Sequence, residues 1–161
     1  MFVSNTSTLI LLGKVTVLQS FVDSVDLIII PEEVREEYLK KQTFEVLLIE
    51  KEIERGKIVV QKSDAQKAKS VKLEFNLDQG EAAAYSLFDG RKHGAILTDD
   101  RELIKLCRIE RIPFVCALAI IVRLYEKKIV DRRFALEKID KLVEIGRYSK
   151  EIVHYFKKEV N

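Results

Sequence analysis

The stretch Asp26-Leu-Ile-Ile-Ile-Pro-Glu-Glu33 constrains the fold of this chain more than any other. A block of β-branched residues with no polar alternation suits a strand buried on both faces, the habit of parallel sheets. Pro31 then predicts a helix start, because proline is favoured in a first helical turn. Glu32 and Glu33 suit the positive end of that helix's dipole.

The same alternation recurs along the chain. Residues 2–4, 57–61, 95–98 and 113–116 read as further short strands. Helices are expected from a Ser7 cap through Leu12 to Gly13, then over 16–21, over 44–55 with Gly56 as the stop, and over 63–74. Others are expected from Asp78 or Gln79 to Phe88, from Asp99 or Asp100 to about Arg108, and over 117–127, 132–145 and 149–160. Strands alternating with helices imply an α/β fold: a short parallel sheet of four to five strands flanked by helices, with a helical C-terminal tail. The chain has 161 residues and only two prolines. One domain is the simple reading, with a core of about 1–118 and a tail of about 119–161.

Composition narrows the function classes. The net charge of +2 excludes a histone-like blanket of positive charge but permits a local basic groove. Cys107 and Cys116 form no CxxC pair and no zinc-ligand set, which suits inert thiols in a reducing cytoplasm. No window approaches the roughly 18 apolar residues of a membrane span, and the N-terminus lacks a basic leader. The expectation is a soluble, cytoplasmic protein. Abundant Lys, Glu, Ile and Val lean toward a thermophilic source. Gly13-Lys14 has no glycine five residues upstream and is not a P-loop, and no GxGxxG, HExxH or GxSxG is present. His93 reads as a surface turn residue, and His154 as lying on the flank of the last helix.

In a parallel α/β fold, chemistry collects at the carboxyl ends of the strands. There the chain places Asn5, then Glu36 and Glu37 on the helix after the second strand, Glu81 in an alanine-rich helix, and Thr98-Asp99-Asp100. Taken singly, each has an ordinary reading. Glu37 can be a solvated helix residue, Glu81 can complement a helix dipole, Asp99 can be a cap and Asn5 a turn residue. Taken together, clustered carboxylates repel one another unless a cation sits among them, and an all-oxygen cluster suits Mg²⁺ or Mn²⁺.

These stretches resemble the PIN-domain family. Val3-Ser-Asn-Thr-Ser-Thr-Leu-Ile10 is similar to its V-x-D-T-S-x-L-I, and Pro31-Glu-Glu-Val-Arg-Glu-Glu37 to its P-x-x-V-x-x-E. Gly80-Glu-Ala-Ala-Ala84 is similar to G-E-A-x-A, and Leu97-Thr-Asp-Asp100 to the strand-end acidic pair. Gly146-Arg-Tyr-Ser149 resembles one archaeal and bacterial subgroup. The resemblance implies a metal-dependent endoribonuclease, similar to the toxin half of a toxin–antitoxin pair. RNA would be its substrate, a small antitoxin protein its partner, and a homodimer its assembly. The site residues so implied are Asn5, Glu37, Glu81 and Asp99 as the catalytic set, with Glu37, Glu81, Asp99 and Asp100 holding Mg²⁺ or Mn²⁺. Asn5 departs from the family's aspartate. An amide offers one acceptor oxygen and no charge. That implies a weakened or silent copy, or a substitution introduced to tame a toxic nuclease. The alternative function is a catalytically impaired PIN-like domain that binds RNA or protein.

Arg101, Lys105 and Arg108 are spaced four and three apart and share one helix face, while Leu103, Ile104 and Cys107 pack on the other side. This stripe starts beside the acidic pair and is the candidate contact for a nucleic-acid backbone. Its ordinary reading is a solvated face with Glu102 nearby.

Overall fold

The computed structural model describes residues 1–146 and 148–160. Five strands form one sheet: β1 (Phe2–Ser4), β2 (Ile28–Pro31), β3 (Ile58–Gln61), β4 (Ile96–Leu97) and β5 (Phe114–Val115). Every pairing is parallel, and the order is β3-β2-β1-β4-β5. The chain winds outward through β2 and β3 on one side of β1, then returns to build β4 and β5 on the other. β1 and β4 therefore flank the point where the winding reverses. The crevice at the carboxyl ends of strands beside such a reversal is where α/β folds hold ligands.

Ten helices are described: α1 (Thr6–Lys14), α2 (Leu18–Asp23), α3 (Glu32–Leu39), α4 (Phe44–Glu54), α5 (Ala65–Glu74), α6 (Gln79–Leu87), α7 (Arg101–Ile109), α8 (Ala117–Glu126), α9 (Arg132–Ile145) and α10 (Lys150–Glu159). They cover both faces of the sheet in a three-layer α/β arrangement. Successive strand residues point to opposite faces, and Ile96 and Leu97 show the consequence. Leu97 joins the larger core with Ile28, Ile30, Leu9, Leu12, Ile120 and Ile139. Ile96 joins the smaller one with Ala82, Leu103, Leu106 and Cys107.

Several element ends differ from the sequence expectation, each for a local reason. The first helix starts at Thr6 rather than at a Ser7 cap, because Asn5 takes the N-cap position. Thr16 does not open the second helix: its φ of 60° lies in the left-handed region, and α2 begins at Leu18. Pro31 is not a first-turn residue. It ends β2 in register with Gln61 and, with ψ at 155°, stands just before α3. Gly56 does stop the fourth helix, with a φ of 72° that favours glycine. His93 is buried rather than a surface residue, its Nδ1 accepting from the Asp89 N–H at 3.0 Å. Arg147, within the Gly146–Ser149 stretch, lies outside the described residues. Among those described, no helix is long and apolar enough to cross a membrane.

Candidate metal centre at the sheet switch point

α6 is the element that gathers the site. Its Ala82, Ala83 and Ala84 are fully buried, so small side chains let the helix lie close to the sheet. Gly80 extends that close approach to α3: a Cβ there would lie 2.8 Å from Glu37 Oε2 and 3.3 Å from Val34 Cγ2. The first turn of α6 carries a capping box. Asp78 Oδ1 accepts from the Glu81 N–H at 2.8 Å, and Glu81 Oε2 accepts from the Asp78 N–H at 2.9 Å. The D-x-x-E spacing is a known sequence signature of this motif, so the position of Asp78 was there to be read. The reciprocal bonds hold both carboxylates at the mouth of the crevice.

The crevice is a cavity of about 90 Å³ lined by Asn5, Thr6, Ser7, Glu37, Lys41, Asp78, Glu81 and Asp100. Glu37 Oε2 accepts from Thr6 Oγ1 at 2.9 Å, and its Oε1 from Lys41 Nζ at 3.3 Å. Asp100 caps α7, its Oδ1 accepting from the Leu103 N–H at 2.9 Å. Asn5 is 2% exposed. Its Nδ2 donates to Thr98 Oγ1 at 3.0 Å, and its Oδ1 accepts from Ser7 Oγ at 2.9 Å. Thr98 Oγ1 also accepts from the Asp100 N–H at 3.0 Å. The ends of β1 and β4 are thus tied together through one hydroxyl.

Burial pushes the Glu81 carboxyl up to about 8; the Asp78 N–H opposes this, while a hydrogen bond with Asp100 and the charges of Asp78 and Asp100 add to it. A carboxyl pair in that relation shares a proton or a cation. The donor set is all oxygen, which fits a hard divalent ion. Among the described residues, no three His, Cys, Asp or Glu groups stand close enough to hold an ion as they are. Side-chain rotation would have to bring Glu37, Glu81 and Asp100 onto one ion.

Of the expected residues, the cavity brings together Asn5, Glu37, Glu81 and Asp100. Asp99, expected in the same catalytic and metal-binding set, does not line it. Asp99 Oδ1 accepts from Tyr148 Oη at 2.7 Å, and its Oδ2 from Thr8 Oγ1 at 2.7 Å. The Ala117 N–H donates to both oxygens, at 3.2 and 3.0 Å. The carboxylate is turned into the seam between α1 and α8, away from the cavity. Burial raises its pKa, while the bonds from Tyr148, Thr8 and Ala117 act against that rise. Thr98, already part of the strand-end stretch marked in the sequence, belongs to the neighbourhood through its bonds to Asn5 and Asp100; Lys41 belongs to it too, and no sequence signal marked its part.

The basic residues Arg101, Lys105 and Arg108 are all exposed on α7 and begin one residue after Asp100. Lys105 Nζ lies 4.0 Å from Glu102, and the Arg108 guanidinium sits 5.7 Å over the Phe114 ring. Cys107 and Cys116 carry thiols pushed up to about 11 by burial, with the charge of Asp99 adding to the effect at Cys116. Neither is a thiolate nucleophile at neutral pH.

A five-stranded parallel sheet with carboxylates gathered at its switch point defines a three-layer α/β domain with an acidic crevice. A family described as PIN domain matches the chain over residues 1–161, and the chain belongs to that family. Comparison with curated proteins finds no match, and comparison with solved structures finds none either. Membership brings a nuclease-type function, the general use of divalent metal ions, and RNA as the class of molecule bound.

Proposed function

We propose that this protein is a metal-dependent endoribonuclease, the toxin component of a toxin–antitoxin pair. The observation that carries this reading is the set of four carboxylates, Glu37, Asp78, Glu81 and Asp100, that line one crevice at the switch point, with the buried Glu81 carboxyl pushed up to about 8. Glu37, Glu81 and Asp100 are the residues that would hold Mg²⁺ or Mn²⁺. A divalent ion bound there would supply an acidified water and offset charge on the phosphodiester. Asn5 would offer a neutral oxygen in place of a carboxylate, which sets a low ceiling on activity. Lys41 stands at the rim beside Glu37, and the α7 face of Arg101, Lys105 and Arg108 would carry the RNA backbone toward the cavity.

The cytoplasm is where such an enzyme would meet RNA and a small antitoxin. A homodimer is the proposed assembly. Phe44 and Leu47 on α4 are each 66% exposed, and Leu39 on α3 is 44% exposed. Exposed apolar side chains of this kind are what an isologous interface covers.

A second reading is favoured by one specific observation: both ends of the Asn5 amide are already satisfied by Thr98 and Ser7. In that reading the domain is catalytically silent and binds RNA or a protein partner. The deciding experiment is cleavage of single-stranded RNA with Mn²⁺ or with chelator, for the wild type, Glu81→Gln and Asp100→Asn. Mn²⁺-dependent cleavage lost in both variants is the expected result. Metal-independent RNA binding without cleavage would establish the silent reading.

A further inference from the structure

Gly146 and Tyr148 were marked in the sequence as a motif, and the proposed reaction gives them no task. The structure puts them against the switch point. Tyr148 reaches back 49 residues in sequence to donate its hydroxyl hydrogen to Asp99 Oδ1 at 2.7 Å. Gly146 makes room for the ring: a Cβ at that position would collide with Tyr148 Cε2. Asp99 in turn is bound from three other sides, by Thr8 of α1, by the Ala117 N–H that opens α8, and through its own N–H, which donates to Ser7 Oγ at 3.2 Å. Ser7 Oγ then donates to Asn5 Oδ1 at 2.9 Å. A continuous set of hydrogen bonds therefore runs from the C-terminal segment, through Asp99, to the residue at the head of the cavity.

Two adjacent aspartates at one strand end can be presented in either of two ways, because neighbouring residues of an extended chain point to opposite sides. Here Asp99 faces the α1/α8 seam and Asp100 faces Glu81. We propose that Tyr148 is a positioning residue for the metal centre. It holds Asp99 in the seam, which fixes the β4–α7 turn so that Asp100 faces the cavity and Ser7 holds Asn5. The inference rests on the metal-binding reading of the cavity. Groups that orient metal ligands from behind typically change metal affinity by about 10- to 100-fold when removed, so loss of the Tyr148 hydroxyl should fall at the lower end, about 10-fold.

The test is Mn²⁺ affinity of the full chain, read by electron paramagnetic resonance of free and bound ion, with Tm measured in chelator. Tyr148→Phe deletes the hydroxyl and keeps the ring. Gly146→Ala keeps the hydroxyl and displaces the ring. Both should weaken Mn²⁺ binding about 10-fold and change the bound-ion spectrum. Ile152→Ala, on a half-exposed position of α10, loosens the same tail without touching Asp99, and should leave affinity and spectrum unchanged whatever its Tm. Wild-type affinity in Tyr148→Phe, or an equal loss in Ile152→Ala, overturns the positioning role. In that case loss of binding in Glu81→Gln would leave the metal reading standing. Absence of Mn²⁺ binding in the wild type overturns both.

Discussion

Replacing Asn5 by aspartate tests the electrostatics of the cavity with almost no change of shape. Ser7 Oγ can go on donating to position 5, since a carboxylate oxygen accepts as the amide oxygen does. The contact with Thr98 reverses direction. Thr98 Oγ1 now accepts from Asn5 Nδ2 and from the Asp100 N–H, and its own hydrogen can turn to donate to the new carboxylate. The hydrogen bonds survive, and the remaining effect is charge. The new carboxyl is buried in a cavity that already holds Glu37, Asp78, Glu81 and Asp100, and burial and like charge both raise its pKa. An unfolded aspartate titrates near ~3.9, and each unit of rise costs ~1.4 kcal/mol once the group is ionised in the unfolded chain. Because the folded group can stay protonated, the loss at about pH 7 is limited to about 4 kcal/mol.

The sign follows from the raised folded pKa. The penalty is absent below the unfolded value, grows as pH rises toward the folded value, and is constant above it. Urea unfolding of chelated Asn5→Asp should therefore match wild type near about pH 4 and fall about 1–4 kcal/mol below it at about pH 7. Mn²⁺ at about 100 times its Kd should return about 2.7 kcal/mol by stabilising the folded state. RNA cleavage should rise with Mn²⁺ affinity. Equal stability of the two proteins at both pH values, with no gain from Mn²⁺, would refute the placing of Asn5 in a charge-crowded metal centre.

The α7 face can be checked by changing Arg101, Lys105 and Arg108 together to glutamate: RNA affinity should fall, and the slope of log affinity against log salt should become shallower by about 2, from about 0.7 per phosphate contact. An unchanged slope would make the face a solvated one. Light scattering at micromolar concentration should give twice the 18.6 kDa chain mass, and Phe44→Glu with Leu47→Glu should halve it; a wild-type monomer across concentrations rejects the dimer. Burial lowers the His93 pKa, partly opposed by Asp89. The stability this neutral imidazole contributes should be complete above about pH 6.5 and lost as pH falls through the lower folded value. His93→Gln should flatten that part of the Tm–pH profile, and an unchanged profile would show that His93 is not its source.

Much of the architecture was legible from local pattern. The Leu27–Ile30 block, the alanines of α6, and Gly56 as a helix stop each act over a few residues, and a strand–helix alternation leaves a parallel sheet as its economical packing. The positions of Asn5, Glu37 and Glu81 at strand ends or on the helices that follow also came from order and spacing alone. The local pattern was less able to place element ends, as Thr16 and Pro31 show, because one residue's backbone angle there answers to the packing of both neighbours.

The choice between Asp99 and Asp100 lay beyond local pattern altogether. In the chain they are adjacent and chemically identical. Which one faces the cavity is decided by partners that arrive from far away: Thr8 from α1, the Ala117 N–H from the start of α8, and Tyr148 from the C-terminal segment. Those donors gather on one side of β4, and the carboxylate that meets them is drawn into the seam. Its neighbour, pointing the opposite way, meets Glu81. A sequence carries the alternation of side chains along a strand, but only the folded chain supplies the hydrogen-bond donors that make its two sides different.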